Sequence, residues 1–212
     1  IGCGRIAKLH ADIYKSDPRC QVVALADIKR EGAEKYAADQ GFTKAEIYTD
    51  YNEMLAKQKP DIVSICLWTS MHLQAVRDCC AARVPAIHCE KPIAAGWGEV
   101  LDVAEVAAKS GVQLTFNHQR RFLPIFQKAK SIIDSKQLGA LQRMECGVHM
   151  HLLDMGTHYV DLLNMFNGDV APTWVLAQTD GREIKRWFNI PCEWASVTSV
   201  KSTEAPFSWS GI

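Results

Sequence analysis

No apolar run in this chain approaches the roughly 18 residues that a membrane-spanning helix requires, so no such span is expected. Charge of one sign is lacking too. Lys plus Arg and Asp plus Glu number 24 each, for a formal net charge of zero. Nucleic acid and anionic membrane surfaces demand a basic excess, so neither is expected as a partner. The 8 cysteines form no CxxC motif, which argues against a structural zinc site. Most of them fall inside apolar runs, where cysteine behaves as a small buried hydrophobe; this predicts reduced thiols and a cytoplasmic location. There is no internal repeat, low-complexity tract or visible signal peptide, although the chain opens at Ile1 without a methionine, leaving room for an earlier segment. What is present is an ordinary globular balance over 212 residues, enough for one or two domains.

Short apolar runs alternate with longer helical patterns through residues 1–118. Strands are expected in the run ending at Ile1, at Cys20–Asp27, Ala45–Tyr48, Asp61–Leu67, Pro85–Cys89 and Val112–Asn117. Helices are expected near Arg5–Ser16, Glu31–Gln40, Tyr51–Lys57, Ser70–Ala82 and Gly98–Lys109. Strands that are apolar throughout imply a sheet covered on both faces, and strand–helix alternation implies a parallel one. The prediction is a doubly wound α/β domain over 1–118. Over 119–212 the rhythm changes to a helix at Phe122–Ser135, a strand at Leu141–Val148 and a helix from about Asp154 to Phe166. Short strands at Trp174–Gln178, Trp187–Phe188 and Ala195–Lys201 complete an expected α+β domain.

Three motifs carry chemistry. Gly2-Cys3-Gly4-Arg5-Ile6-Ala7 follows a strand end and opens a helix, as the GxGxxA dinucleotide fingerprint does. The first glycine permits the turn, the second admits a pyrophosphate, and the small third residue lets helix and strand pack. Asp27, at the end of the next strand, is placed to accept hydrogen bonds from ribose hydroxyls and to repel a 2′-phosphate. Lys29 and Arg30 follow closely, so NADP stays open beside NAD. The second motif is Glu90-Lys91-Pro92 at a strand end, where an open sheet gathers its ligands. A lysine there can bond a substrate hydroxyl and lower the pKa of a neighbouring acid–base group; an exposed loop lysine is the alternative. In the third motif Asp154 and His158 share a helix face, with Asp161 near it, as a proton carrier with an orienting carboxylate would; a helix cap with a structural histidine is the other reading. His149, His151, Asp154 and His158 raise a metal site, but a strand carrying the first two does not suit one, and no metal is expected.

Together these motifs resemble the glucose–fructose oxidoreductase, inositol dehydrogenase and MocA family, in its order, from Ile1 to about Pro172. The resemblance implies a Rossmann domain followed by an α+β domain whose open, mostly antiparallel sheet makes homo-oligomer contacts in dimers or tetramers. It implies a catalytic group of Lys91, Asp154 and His158: His158 as acid–base residue, Lys91 positioning and polarising the substrate oxygen, Asp154 assisting both. Cofactor contacts are implied at Gly2, Cys3, Gly4, Arg5, Ile6, Asp27, Lys91 and Glu90, the last near the nicotinamide ribose. His72 is either another such contact or a packing residue at a helix start. An alcohol carbon of a sugar, cyclitol or related polyol gives its hydride to the nicotinamide while His158 takes the hydroxyl proton, and the reverse direction reduces a carbonyl.

The chain departs from the family in carrying Trp68 where a proline commonly stands. The interval from Gly147 to Asp154 is short, and the sheet ends early at Ile212; absent segments are expected, because half a sheet leaves unpaired edges and an exposed apolar face. Arg120 and Arg121 are read as bracing the interdomain hinge through ion pairs. A catalytically silent NAD(P)-binding regulator and an NAD-dependent glycoside hydrolase remain as alternatives.

Overall fold

The computed structural model describes residues 1–183, 185–193, 195–201 and 206–211. The chain divides into two compact units, Ile1–Asn117 and His118–Ile212.

In the first unit, five short parallel strands alternate with helices: α1 Ala7–Ser16, β1 Ala24–Ala26, α2 Arg30–Gln40, β2 Glu46–Tyr48, α3 Tyr51–Gln58, β3 Ile62–Ile65, α4 His72–Ala81, β4 Ala86–Cys89, α5 Trp97–Ser110 and β5 Gln113–Phe116. A single 3₁₀ turn, Thr69–Met71, leads into α4. β1 pairs with β2, and β3, β4 and β5 follow one another in a second parallel ladder. Ile1 and Gly2 lie between the two ladders. Gly2 N–H donates to Ala26 on one side (2.8 Å), while Ile1 bonds Ser64 (2.7 Å) and receives Cys66 N–H (2.8 Å) on the other. The spatial order is therefore β2, β1, Ile1–Gly2, β3, β4, β5, and the direction of winding reverses at Ile1–Gly2. An open sheet binds its ligands at such a reversal, beyond the carboxyl ends of the strands.

The central strands β3 and β4 form because alternate residues enter a common core. Ile65 is 0% and Ile87 1% exposed, within a core that also holds Val63, Val76, Cys79 and Val103. Each large aliphatic side chain so buried contributes about 1.5–3 kcal/mol. The expected strand over Cys20–Asp27 contracts to three residues, since the only further ladder bond before Ala24 is Glu46 N–H to Val23. Asp50 caps α3 by accepting Asn52 N–H (2.8 Å).

The second unit has α6 Pro124–Asp134, β6 Met144–Val148, α7 Thr157–Phe166 and strands β7 Trp174–Asp180, β8 Lys185–Trp187, β9 Ile190–Cys192, β10 Ala195–Lys201 and β11 Phe207–Gly211. Its four-stranded sheet runs β6, β11, β10, β7, parallel only between β6 and β11. Met144, Leu163, Val200 and Phe207 form its core. Three expectations need correction. The strand at Trp187–Phe188 is a hairpin: Trp187 ends β8, and Phe188 and Asn189 turn at φ of 46° and 65° to reach β9. The strand β11 was not anticipated, yet it lies inside the sheet. His149 and His151 are not on a strand, because β6 stops at Val148; His151 instead packs edge-on against Trp187 with centroids 5.7 Å apart.

Candidate active site

The carboxyl edge of the first unit's sheet collects most of the residues singled out from the sequence. Gly2 turns at φ +84°, and a Cβ built there would lie 2.6 Å from the Cys66 carbonyl oxygen. Only glycine fits without displacing a strand. Gly4 has no heavy atom within 4 Å of a built Cβ, so the space over the loop is open. Ala7 is 5% exposed, the close helix–strand packing that requires a small residue. The start of α1 has no side-chain cap and no acidic residue in its first turn. Helix N–H groups there, with the positive end of the helix dipole, suit a diphosphate. Arg5 is exposed and Ile6 half-buried at this start. Cys3 does not turn its N–H outward: it donates to Asp27 Oδ2 at 2.9 Å. Burial pushes its thiol up to about 11, well away from a reactive thiolate.

Asp27 is half-buried and accepts Lys29 N–H at 3.0 Å on its other oxygen. Each carboxylate oxygen keeps a lone pair for a further donor. Arg30 is drawn away, pairing with Glu34 at 3.2 Å and with the Ile47 carbonyl at 3.3 Å.

Glu90-Lys91-Pro92 follows β4, with a cis Lys91–Pro92 peptide. Lys91 is half-buried. Glu90 is 4% exposed and points inward. Its Oε1 receives His10 Nε2 at 2.8 Å and Asn117 Nδ2 at 2.6 Å, and its Oε2 receives Lys91 N–H at 3.2 Å. Burial alone raises a carboxyl, but these hydrogen bonds outweigh it and hold Glu90 below the usual range. Burial opposes charge on His10, yet bonds to Cys66 and Glu90 prevail and raise it from 6.5 to about 9. His10 thus stabilises the fold fully below pH 6.5, and that contribution is lost as pH rises through about 9. His88 lies 5.3 Å from the His10 ring and is lowered, first by burial and then by the His10 charge.

His72 is 0% exposed, its Nδ1 2.9 Å from the Pro92 carbonyl and its Nε2 3.2 Å from that of Leu67. Burial lowers its pKa, so the ring is neutral and packs beneath the Pro92 loop. The reading of His72 as a cofactor contact is corrected: its ring has no free surface.

A cavity of about 300 Å³ is lined by Ala11, Val22, Val23, Met54 and Ile62. Gly2 and Ala7 of the fingerprint line it as well, so it runs beneath α1 between β1 and β3.

In the second unit, the residues from Leu152 to Gly156 form a π-helical turn before α7 begins at Thr157. Asp154 therefore stands in this wider turn, not in the α-helix expected from Asp154 onward. Gly156 N–H reaches back to His151 at 3.3 Å, and a π turn of this kind often marks a functional position. His158 is 4% exposed and meets His118 edge-on at 5.8 Å. Arg120 stacks on Tyr159, with its guanidinium carbon 5.0 Å from the ring centroid. Arg121 pairs with Asp161 at 2.7 Å and Asp169 at 2.6 Å. Both arginines are thus braced inside this unit; the hinge reading is corrected.

Sequence reading missed His10. Its signal is a titratable residue at helical spacing with Ala7 and Ala11 on the buried face of α1, which demands a partner.

A turn that only glycine can make, an uncapped helix start, an acid at the next strand end and a winding reversal define a dinucleotide-binding α/β unit. Residues 1–118 match the family described as "Oxidoreductase family, NAD-binding Rossmann fold", and the chain belongs to this family, that of glucose–fructose oxidoreductase, inositol dehydrogenase and MocA. It is 31% identical over 139 residues to an uncharacterized oxidoreductase, YrbE, of Bacillus subtilis, covering 66% of this chain and 40% of that one. Against a myo-inositol 2-dehydrogenase of Thermotoga maritima the identity is 29%, covering 66% and 41%. The chain thus spans about two fifths of the length of these curated relatives. The fold matches the WlbA dehydrogenase of Bordetella pertussis, solved with NADH and UDP-GlcNAcA, at a TM-score of 0.82 and 22% identity, covering 100% of this chain and 70% of that one. No helix among the described residues is long and apolar enough to cross a membrane.

Proposed function

We propose that this chain carries out NAD-dependent hydride transfer at a hydroxyl-bearing carbon of a sugar, cyclitol or related polyol. The observation that carries the reading is Asp27, held beside the fingerprint turn by Cys3 N–H and still able to accept. A carboxylate there favours ribose hydroxyls and opposes a 2′-phosphate. With Arg30 occupied by Glu34 and Ile47, NAD is preferred to NADP. NAD, when bound, supplies the hydride acceptor.

The protein supplies position and proton management. Gly4 and the start of α1 would hold the diphosphate, and Asp27 the adenosine ribose. Lys91 polarises the substrate oxygen, as its place after β4 supports. His158 takes or returns the hydroxyl proton, and Asp154, one π turn earlier, assists it. These roles rest on the family resemblance at those positions. The free thiols accord with a reducing compartment, which we take to be the cytoplasm; recovery of the protein from a secreted fraction would count against it. The exposed Trp174, Val175 and Leu176 of β7 support a homo-oligomer built on the open sheet, and light scattering that returns only the monomer mass would exclude one.

Calorimetric titration with NAD⁺, NADH, NADP⁺ and NADPH tests the reading directly. An NAD form is expected to bind tightest, and Asp27→Ser to move the NADP/NAD preference by about tenfold, some 1.4 kcal/mol. If no nucleotide binds, the fingerprint assignment fails. An unmoved preference sinks the role of Asp27.

A further inference from the structure

We propose that His10 and Asn117 are positioning residues that hold the Glu90 carboxylate inside the first unit, so that Glu90 fixes the backbone from which Lys91 projects instead of touching the cofactor ribose. The inference rests on the reading of Lys91 given above, and it reassigns Glu90.

Three elements meet at this carboxylate. His10 stands on α1, one turn after the fingerprint; Glu90 follows β4; Asn117 follows β5. His10 Nε2 and Asn117 Nδ2 both reach Oε1, at 2.8 and 2.6 Å, and Oε2 takes the Lys91 N–H at 3.2 Å. The backbone is tied at the same point, by Glu90 N–H to Ile65 (2.9 Å) and Asn117 N–H to Cys89 (2.8 Å). Below the next residue, His72 approaches the Pro92 carbonyl at 2.9 Å. The tripeptide is thus fixed from beneath by three side chains, and the phosphate-binding helix is joined mechanically to the proposed catalytic lysine.

Burial decides the sign of Glu90's role. His10 is 7% and Glu90 4% exposed, so neither charge tolerates loss of the other. The groups facing His10 are Glu90, the Cys66 thiol and the His88 ring, and only Glu90 carries a full opposite charge. A carboxylate turned outward to a ribose would leave the His10 imidazolium buried without it. A carboxylate turned inward satisfies His10, Asn117 and the Lys91 N–H together.

Nuclear magnetic resonance titration of the histidine rings in the full chain tests the clamp without any turnover. His10 is expected to stay protonated beyond pH 8, and Glu90→Gln, nearly isosteric, to bring its titration to or below 6.5. In the same variant NADH affinity should stay within about threefold of wild type, while kcat falls by about tenfold or more. The pair His10→Ala and Glu90→Gln should be strongly non-additive, the double variant being no slower than either single one. A wild-type His10 that titrates near 6.5 overturns the clamp. So does a Glu90→Gln protein that loses about tenfold or more in NADH affinity but keeps kcat at saturating cofactor, the mark of a direct ribose contact. If wild type oxidises no polyol, the catalytic reading fails, while the ring titration still decides the clamp.

Discussion

Lys91→Ala is expected to lower kcat for polyol oxidation by about 10²–10⁴ while leaving NAD affinity nearly unchanged. The argument starts from the sheet. Every strand of the first unit is parallel, so the residue after each strand lies on one edge, and Lys91 is the cation that β4 delivers there. Its own N–H is anchored to Glu90 Oε2 and its carbonyl is part of the turn into Pro92, so the side chain starts from a fixed point. An ammonium so held stabilises negative charge on a substrate oxygen as the hydroxyl proton leaves, an interaction stronger in the transition state than in the ground state. Alanine removes that term and nothing from the fingerprint turn. Lys91→Arg should not restore the rate, because a planar guanidinium cannot replace a compact point charge on this geometry. Steady-state rates at saturating NAD, with calorimetry on the same samples, separate the outcomes. Unchanged kcat in Lys91→Ala removes the lysine from the chemistry, and a matching loss of NAD affinity makes it a cofactor ligand instead.

The first unit was readable in the sequence because its signals are local. Short apolar runs mark its strands, and Ile65 and Ile87 are buried, although burial alternates along β3 and β4 and β5 keeps exposed positions. The second unit was less readable because its sheet is open and its strands carry mixed faces. Phe188 is an apolar residue in a left-handed turn, so composition suggested a strand where the chain reverses. Phe-Ser-Trp-Ser alternates as a strand should, but its place inside the sheet depends on β6 and β10, which periodicity does not report. The π turn at Leu152–Gly156 keeps the i,i+4 spacing of Asp154 and His158 while changing the geometry beneath it. The Glu90 clamp joins residues 80 apart in the chain, and nothing local to Glu90 distinguishes an inward carboxylate from an outward one.

Gly2→Ala and Gly4→Ala are expected to fail in opposite ways. At Gly2 a methyl group would sit 2.6 Å from the Cys66 oxygen, 3.0 Å from its carbonyl carbon and 3.2 Å from Leu67 Cδ2, and the backbone is already at φ +84°. The first two atoms are backbone, so relief must come from the main chain. The Cys66 backbone, just past β3, is held by its N–H to Ile1, and Gly2 is held on its other side by its N–H to Ala26, both 2.8 Å. The left-handed conformation costs about 1–2 kcal/mol for a residue with a Cβ, and displacing packed backbone adds about 1–3 more. A loss of roughly 2–5 kcal/mol is large against the 5–15 kcal/mol that holds an ordinary domain folded. The midpoint of urea unfolding should fall accordingly, and nucleotide binding with it. At Gly4 a methyl group meets nothing within 4 Å. Stability should therefore stay within about 0.5 kcal/mol of wild type, while the methyl occupies space that a diphosphate needs and NAD affinity drops by about tenfold or more. The contrast separates two uses of glycine in one turn: Gly2 makes room for the protein, and Gly4 makes room for its ligand. A stable Gly2→Ala protein would refute the first use. A Gly4→Ala protein that binds NAD normally would show that the diphosphate does not lie over this turn.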